Sequence, residues 1–106
     1  MVVLVLTRNR QKVEYVLTGA VANEDSIAQA RSTILAERFP QLSNRELEVL
    51  PLMLQNYGNA RMAKTLVVSE NTVKTHVRHI YAKMGINTRQ QLLELASGIK
   101  LAPNKP

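Results

Sequence analysis

Within residues 69–85, polar and basic side chains recur at spacings that a helix would bring onto one face. At about 100° per residue, one arc of such a helix holds Asn71, Thr75, Arg78 and Ala82, with Lys74, His79 and Lys83 beside it. The acid of this stretch, Glu70, lies in the first turn, where the helix dipole favours it. Hydrogen-bonding and basic groups suit DNA, whereas an ordinary surface helix usually mixes Glu with Lys. The pattern therefore favours a helix that enters a DNA groove.

The same stretch carries signals for both ends of this helix. Ser69 is a good N-cap, because its hydroxyl can accept a backbone N–H of the first turn. Gly85 can adopt the left-handed conformation that ends a helix. An apolar stripe at helical spacing is formed by Val73, Val77, Ile80 and Met84. We therefore expect a helix over residues 70–84, with one face in a core and the other outside.

The composition supports a polyanionic partner for the C-terminal two-thirds of the chain. The 106 residues carry a net charge of +6, of which +5 belongs to residues 40–106. The absence of cysteine excludes a disulfide framework and a thiolate zinc site, and it fits a reducing cytoplasm. His76 and His79 have a spacing that metals can use, but no third ligand is near them in sequence. We expect no metal, no cofactor and no enzymatic activity, since no nucleophile has an adjacent base.

The N-terminal arm, residues 1–24, leaves two interpretations open. Residues 1–6 are all apolar and are followed by the basic residues Arg8, Arg10 and Lys12. The first interpretation is a hairpin, with a turn at 8–11 and a second strand at 13–17, or else a disordered arm. The second is the end of a membrane helix with a basic cytoplasmic flank, which would tether a longer parent protein to the inner membrane. In both cases the remainder of the chain is expected to be cytoplasmic.

A linker helix is expected over residues 25–39, beginning at Asp25 or Ser26 and ended by Pro40. Residues 40–101 then form a four-helix domain, and 102–106 form a tail. Its first helix begins at a capping box formed by Ser43 and Glu46, and it runs to about residue 55 in spite of Pro51. Asn56 can end that helix in the left-handed conformation.

The next three helices complete the domain. A short helix begins at Gly58 or Asn59, and residues 67–68 form the turn into the helix over 70–84. This pair predicts a helix-turn-helix, whose second helix enters the major groove. A second capping box at residues 88–91 opens the last helix, on which Leu93 falls outside the apolar face and is expected to be exposed.

Three motifs carry a resemblance to a known family: LSNRELEVL at 42–50, NARMA at 59–63 and LVVSENTVKTHVRHIYAKMG at 66–85. Together they resemble the LuxR-type DNA-binding domain of bacterial transcription regulators. The resemblance implies a mainly α fold with four helices, preceded here by the linker helix and the arm. It also implies double-stranded DNA as a partner, bound by a homodimer. The family normally joins this domain to a sensory or membrane module, which is therefore expected outside this chain.

The resemblance also implies roles for individual residues. Base-facing positions correspond to Lys74, Thr75 and Arg78, and phosphate or backbone neighbours to Asn71, Thr72, His76, His79 and Lys83. Arg61 stands where the family usually has an acid, which adds a candidate phosphate contact. The last helix commonly forms the dimer contact, which here implies Arg89, Gln90 and Leu93.

Two other functional classes remain open from the sequence. A module associated with RNA polymerase, like the last domain of a sigma factor, shares the helix-turn-helix, and RNA polymerase is a candidate partner of either class. A helical protein-interaction domain without a nucleic-acid partner is the third class, and it predicts no mobility shift of DNA at low salt.

Overall fold

The computed structural model describes the backbone of two strands and all of residues 23–101. Strands β1 and β2 span Val2–Arg8 and Val13–Gly19. The helices are α1 (Glu24–Arg38), α2 (Asn44–Leu54), α3 (Asn59–Leu66), α4 (Glu70–Met84) and α5 (Arg89–Ser97). The expected mainly α fold, with a helix-turn-helix after a linker helix, is therefore confirmed.

The two strands pair antiparallel in a continuous register, from Val2 opposite Gly19 to Arg8 opposite Val13. This pairing corresponds to the hairpin interpretation of the N-terminal arm, although β2 extends two residues beyond the expected end at residue 17. The expected turn falls largely on residues 9–12, which lie outside the described residues. None of the described helices is both long and apolar enough to cross a membrane.

Side-chain caps determine where most of the helices begin. Capping boxes join Ser43 to Glu46 and Thr88 to Gln91, as the sequence predicted. The expected start of α1 at Asp25 or Ser26 is wrong by one or two residues. Asn23 is the cap, because its side chain accepts the Ser26 backbone N–H and the Ser26 hydroxyl accepts that of Asn23.

The connections around α3 depend on two residues with positive φ. Asn56 has φ 63°, which confirms the predicted left-handed end of α2. Val67, between α3 and α4, has φ 57° and was not expected there, since a β-branched residue rarely adopts this conformation. Pro51 lies inside α2 without ending it, and the helix continues to Leu54.

The core lies between α2 and the helices that pack around it. α1 and α4 pack against α2, α3 packs against α4, and α5 packs against α1 and α2. The largest fully buried side chains are Leu35, Val49, Leu50, Met53, Met62, Val73, Ile80 and Leu92. All five helices contribute to this core, α1 through Leu35. Because α4 turns its apolar stripe towards this core, its outer face is left for function.

Leu93 corrects an expectation about the last helix. It is half-buried rather than exposed. Together with Ile27, Ala28 and Leu54 it lines a recess between α1, α2 and α5. The helical periodicity of α5 placed Leu93 outside the stripe that faces α2. However, α1 packs against the side of α5 that carries Leu93 and shields this residue from solvent.

Candidate nucleic-acid interface

Helix α4 presents one face to the core and the other to solvent. Val73 and Ile80 are fully buried and Met84 is 7% exposed. On the opposite side the exposed residues are Asn71, Lys74, Arg78, His79 and Ala82. The packing of α4 against α2 and α3 therefore holds a hydrogen-bonding and basic surface outward. We call these five exposed residues, with Thr75, the outer face of α4.

The first turns of α4 are fixed by local hydrogen bonds. The Ser69 hydroxyl accepts the Thr72 backbone N–H at 3.0 Å and lies 2.8 Å from the Thr72 hydroxyl. The hydroxyl of half-buried Thr75 donates to the Asn71 carbonyl at 3.0 Å, so its methyl group and its acceptor lone pairs remain for a ligand. His76 is half-buried and, with Thr72 and Arg45, lines a recess between α2 and α4.

The second half of the outer face forms one side of a shallow depression. Lys74 and Arg78 line it together with Tyr81 and Ala82 of α4. Asn59, at the start of α3, and Asn87, after α4, also line it, as do Val77 and Ile86. Two cations, two amides and a small apolar residue are thus brought together from three segments of the chain. Neither asparagine was predicted to lie on this surface, because Asn59 comes beside α4 only through the packing of α3 on α4.

Lys83, which was expected to contact phosphate, makes an ion pair inside the domain. Its ammonium donates to both carboxylate oxygens of Glu46, at 2.7 and 3.0 Å. The Glu46 side chain is 4% exposed and that of Lys83 is 33% exposed. The backbone carbonyl of Lys83 also accepts a hydrogen bond from the Gln41 side chain at 2.9 Å. The end of α4 is therefore tied to the start of α2.

Glu46 has two structural tasks at this position. One carboxylate oxygen accepts the Ser43 backbone N–H at 2.9 Å and so completes the cap of α2. Burial raises the pKa of this carboxyl, but hydrogen bonds from Lys83 and Ser43 outweigh that effect and hold the pKa below its ordinary value of 4.5. The Nδ1 atom of His79 lies 3.9 Å from the same carboxylate. The sequence indicated only the capping task of Glu46, because its partner in α4 is distant along the chain.

Arg61 and Arg89 both contact Tyr57, in different ways. The exposed Arg61 stacks over the Tyr57 ring, with its guanidinium carbon 3.8 Å from the ring centroid. Arg89 is half-buried and donates to the Tyr57 carbonyl at 2.7 Å. Arg89, which was expected at a dimer contact, therefore has a partner within its own chain. Gln90 is exposed, and its amide donates to Glu94 of the same helix at 3.1 Å.

The two histidines of α4 have different surroundings. His76 lies in the recess described above, whereas His79 is beside Glu46. Among the residues that the structure describes, no three His, Cys, Asp or Glu side chains come together as ligands for a metal ion.

Comparison with known proteins agrees with this geometry. Residues 40–96, more than half of the chain, match the family described as "Bacterial regulatory proteins, luxR family". The chain is 39% identical over 90 residues to the oxygen regulatory protein NreC of Staphylococcus aureus strain MRSA252, and equally to that of strain JH9. The match covers 84% of the chain and 42% of each relative, so the chain spans less than half the length of these proteins. No solved structure matches. The chain therefore belongs to the LuxR family of bacterial regulatory proteins, which regulate transcription and bind DNA through a helix-turn-helix.

Proposed function

We propose that this protein binds DNA sequence-specifically as a dimer, with α4 in the major groove. The observation that carries the proposal is the outer face of α4, which is basic and hydrogen-bonding while the opposite face is fixed in the core. Such a helix fits the major groove, where each base pair presents a distinct pattern of donors and acceptors. Because bacterial DNA lies in the cytoplasm, the helical domain would act there.

Three residues of this face are proposed to contact bases. Arg78 is exposed at the centre of the face, and its forked guanidinium can donate to both O6 and N7 of one guanine. Lys74 lies one turn earlier on the same side and can reach a second base edge. The Thr75 methyl group suits the methyl group of thymine, because its hydroxyl hydrogen is already bonded to Asn71.

The surrounding polar residues are proposed to contact the DNA backbone. Asn71, Thr72 and His79 are exposed on α4, and His76 is half-buried beside them. Arg61 extends the basic surface onto α3, where stacking on Tyr57 limits its conformational freedom before binding. Contacts of this kind fix the position of the protein on the duplex without selecting a sequence. Lys83 is left out of this set, because its ammonium is bonded to Glu46.

The proposed dimer places two copies of α4 in successive turns of the major groove. Helix-turn-helix dimers bind half-sites about 34 Å apart, so the operator would be close to palindromic. Of the three residues expected at a dimer contact, Gln90 alone is exposed. We therefore propose that the exposed side of α5 makes only a small contact between the two copies. Binding of both copies to DNA would strengthen the dimer.

The test separates base reading from general attraction to DNA. A preferred duplex is selected from a randomised library, and fluorescence anisotropy then compares it with a scrambled duplex at several salt concentrations. Arg78→Ala should weaken binding to the preferred duplex by about 1–3 kcal/mol and relax the choice at one base pair. The matched control is Arg38→Ala, which removes an exposed arginine from the end of α1. An equal loss on both duplexes would reduce Arg78 to a backbone contact, and no selected sequence at all would overturn the proposal.

A further inference from the structure

His79 belongs to the outer face of α4 but also faces a buried carboxylate. Its Nδ1 atom is 3.9 Å from the Oε2 atom of Glu46, whose side chain is 4% exposed. The side chain of His79 is 52% exposed, so much of its ring is open to solvent. The two nitrogens of an imidazole are separate hydrogen-bonding positions. One of them can therefore approach Glu46 while the other approaches a group outside the protein.

The carboxylate of Glu46 can accept a further hydrogen bond. Its Oε1 atom accepts the Ser43 backbone N–H at 2.9 Å and the Lys83 ammonium at 2.7 Å. Its Oε2 atom accepts from Lys83 at 3.0 Å, and a carboxylate oxygen has room for a second donor. A shift of about 1 Å by the exposed ring of His79 would bring Nδ1 within hydrogen-bonding distance of Oε2.

A contact of this ring with both Glu46 and DNA depends on its protonation. An ionised carboxylate accepts hydrogen bonds but cannot donate them, and the same holds for the phosphate oxygens of DNA. A neutral imidazole has one N–H group, whereas the imidazolium has two. His79 can therefore donate to the carboxylate and to a phosphate at the same time only after it has taken up a proton.

We propose that Glu46 is a positioning residue for His79, which donates as an imidazolium to Glu46 through Nδ1 and to a DNA phosphate through Nε2. DNA binding by this chain is then coupled to the uptake of a proton. Because the complex holds more protons than the separate molecules, its affinity rises as the pH falls. This coupling rests on the proposed function and adds a dependence on pH to it.

The charged groups around His79 determine the strength of the coupling. Lys83 opposes it, because its ammonium already neutralises part of the charge of Glu46. On α2, Arg45 and Glu48 pair with each other at 3.2 Å. Among the described residues, no ion pair joins His79 to the remaining charged residues of α3 and α4, which are Arg61, Lys64, Glu70, Lys74 and Arg78. Glu46 and Lys83 are therefore the charged groups that act on His79 at short range.

His76 is a matched control, since the chain contains two histidines and both lie on α4. It is half-buried in the recess that Arg45, Glu48 and Thr72 also line. In this recess the carboxylate of Glu48 is paired with Arg45. His76 therefore lacks the buried carboxylate that distinguishes the surroundings of His79, and its replacement should leave most of the pH dependence in place.

The first experiment measures the affinity of the full chain for the selected duplex by fluorescence anisotropy between pH 8 and pH 6, at constant salt. Histidine is the side chain that ordinarily changes its charge in this range. One proton taken up changes the affinity by at most about tenfold per pH unit, and we expect a total increase of about three- to tenfold. His79→Gln should remove most of this increase, and His76→Gln should retain it. A variant that lacks both histidines gives the dependence caused by all other groups.

Two further variants separate positioning from a structural role of Glu46. Glu46→Gln removes the negative charge that favours the imidazolium, so the increase in affinity from pH 8 to pH 6 should become smaller than in the unchanged protein. Lys83→Met removes the cation that competes with His79 for Glu46, so the increase should be as large or larger. If Glu46 served only the fold, both variants would weaken DNA binding equally at every pH. Circular dichroism at each pH checks that the variants retain their helices.

Calorimetry of DNA binding in two buffers with different heats of ionisation counts the protons taken up directly. The count should be positive near neutral pH for the unchanged protein and for His76→Gln, and close to zero for His79→Gln. DNA binding without proton uptake, proton uptake that depends on His76, or equal pH profiles for Glu46→Gln and Lys83→Met would overturn this proposal alone. In those cases the base-reading test with Arg78 would keep its own result. The absence of any DNA binding would overturn both proposals.

Discussion

Replacing Lys83 by methionine would test whether the ion pair with Glu46 holds α4 in place. Methionine keeps an unbranched apolar chain of similar length but removes the ammonium that donates to Glu46 at 2.7 and 3.0 Å. Glu46 would then keep a buried carboxylate, 4% exposed, without its cation. Hydrogen bonds to charged groups contribute about 1.5–3 kcal/mol. Losing one partner of a fully buried pair costs about 3–5 kcal/mol. Lys83 is one-third exposed, so water can replace part of its contact with Glu46. We therefore expect Lys83→Met to lower the free energy of unfolding by about 1.5–3 kcal/mol.

The dependence of this loss on pH identifies its cause. The pKa of Glu46 is lower in the folded protein than its ordinary value of 4.5. The ion pair therefore stabilises the fold above pH 4.5, and the stabilisation disappears as the pH falls through the folded pKa. In Lys83→Met the cation that stabilises the charged carboxylate is gone, while Glu46 remains buried. The pKa of Glu46 should therefore be higher than in the unchanged protein. The difference in stability between the two proteins should thus be large at neutral pH and should shrink in acid.

Urea denaturation followed by circular dichroism at neutral and acidic pH measures both effects. The control is Lys64→Met, which makes the same change at an exposed lysine of α3. Glu46→Gln keeps an oxygen that can accept the Ser43 N–H but removes the charge, so it separates the cap from the ion pair. Equal stability of the Lys83 and Lys64 variants at both pH values would refute the reasoning. So would a loss for Lys83→Met that does not change with pH.

Further outcomes follow from the caps, the turn and the last helix. Ser43→Ala and Ser69→Ala should each lower the free energy of unfolding by about 0.5–2 kcal/mol, because each removes an N-cap acceptor. Unchanged urea midpoints would mean that these hydroxyls contribute nothing to α2 and α4. Val67→Asn should raise stability by about 1 kcal/mol, since Val67 is 88% exposed and adopts a left-handed conformation that asparagine tolerates better. A lower thermal midpoint for this variant would contradict that view of the turn. Leu93→Asp should lower the free energy of unfolding by about 1–3 kcal/mol, because the charge would enter the recess beneath α1. If that variant were as stable as the unchanged protein, α1 would not shield Leu93 in solution.

Much of the helical domain could be predicted from local sequence. The caps at Ser43 and Thr88 were identified because each depends on a hydroxyl and a residue three positions later. Ser69 was identified because serine is a favoured N-cap residue. Asn56 was predicted to be left-handed because its residue type tolerates that conformation. Val67 adopts the same conformation, and no local preference of valine indicates it. There the close packing of α3 and α4 determines the backbone and overrides the preference of the residue.

The sequence by itself determined which face of α4 is polar, where that helix begins and ends, and that its charge suits DNA. These properties depend on residues within about four positions of one another, which the geometry of a helix relates directly. The tertiary structure decided which of the polar side chains remain free. Lys83 pairs with Glu46, 37 positions away, and Arg89 bonds to Tyr57, 32 positions away. Leu93 is shielded because α1 docks on α5. No periodicity reports such contacts, because they arise from how the helices pack and not from the order of residues within any one of them.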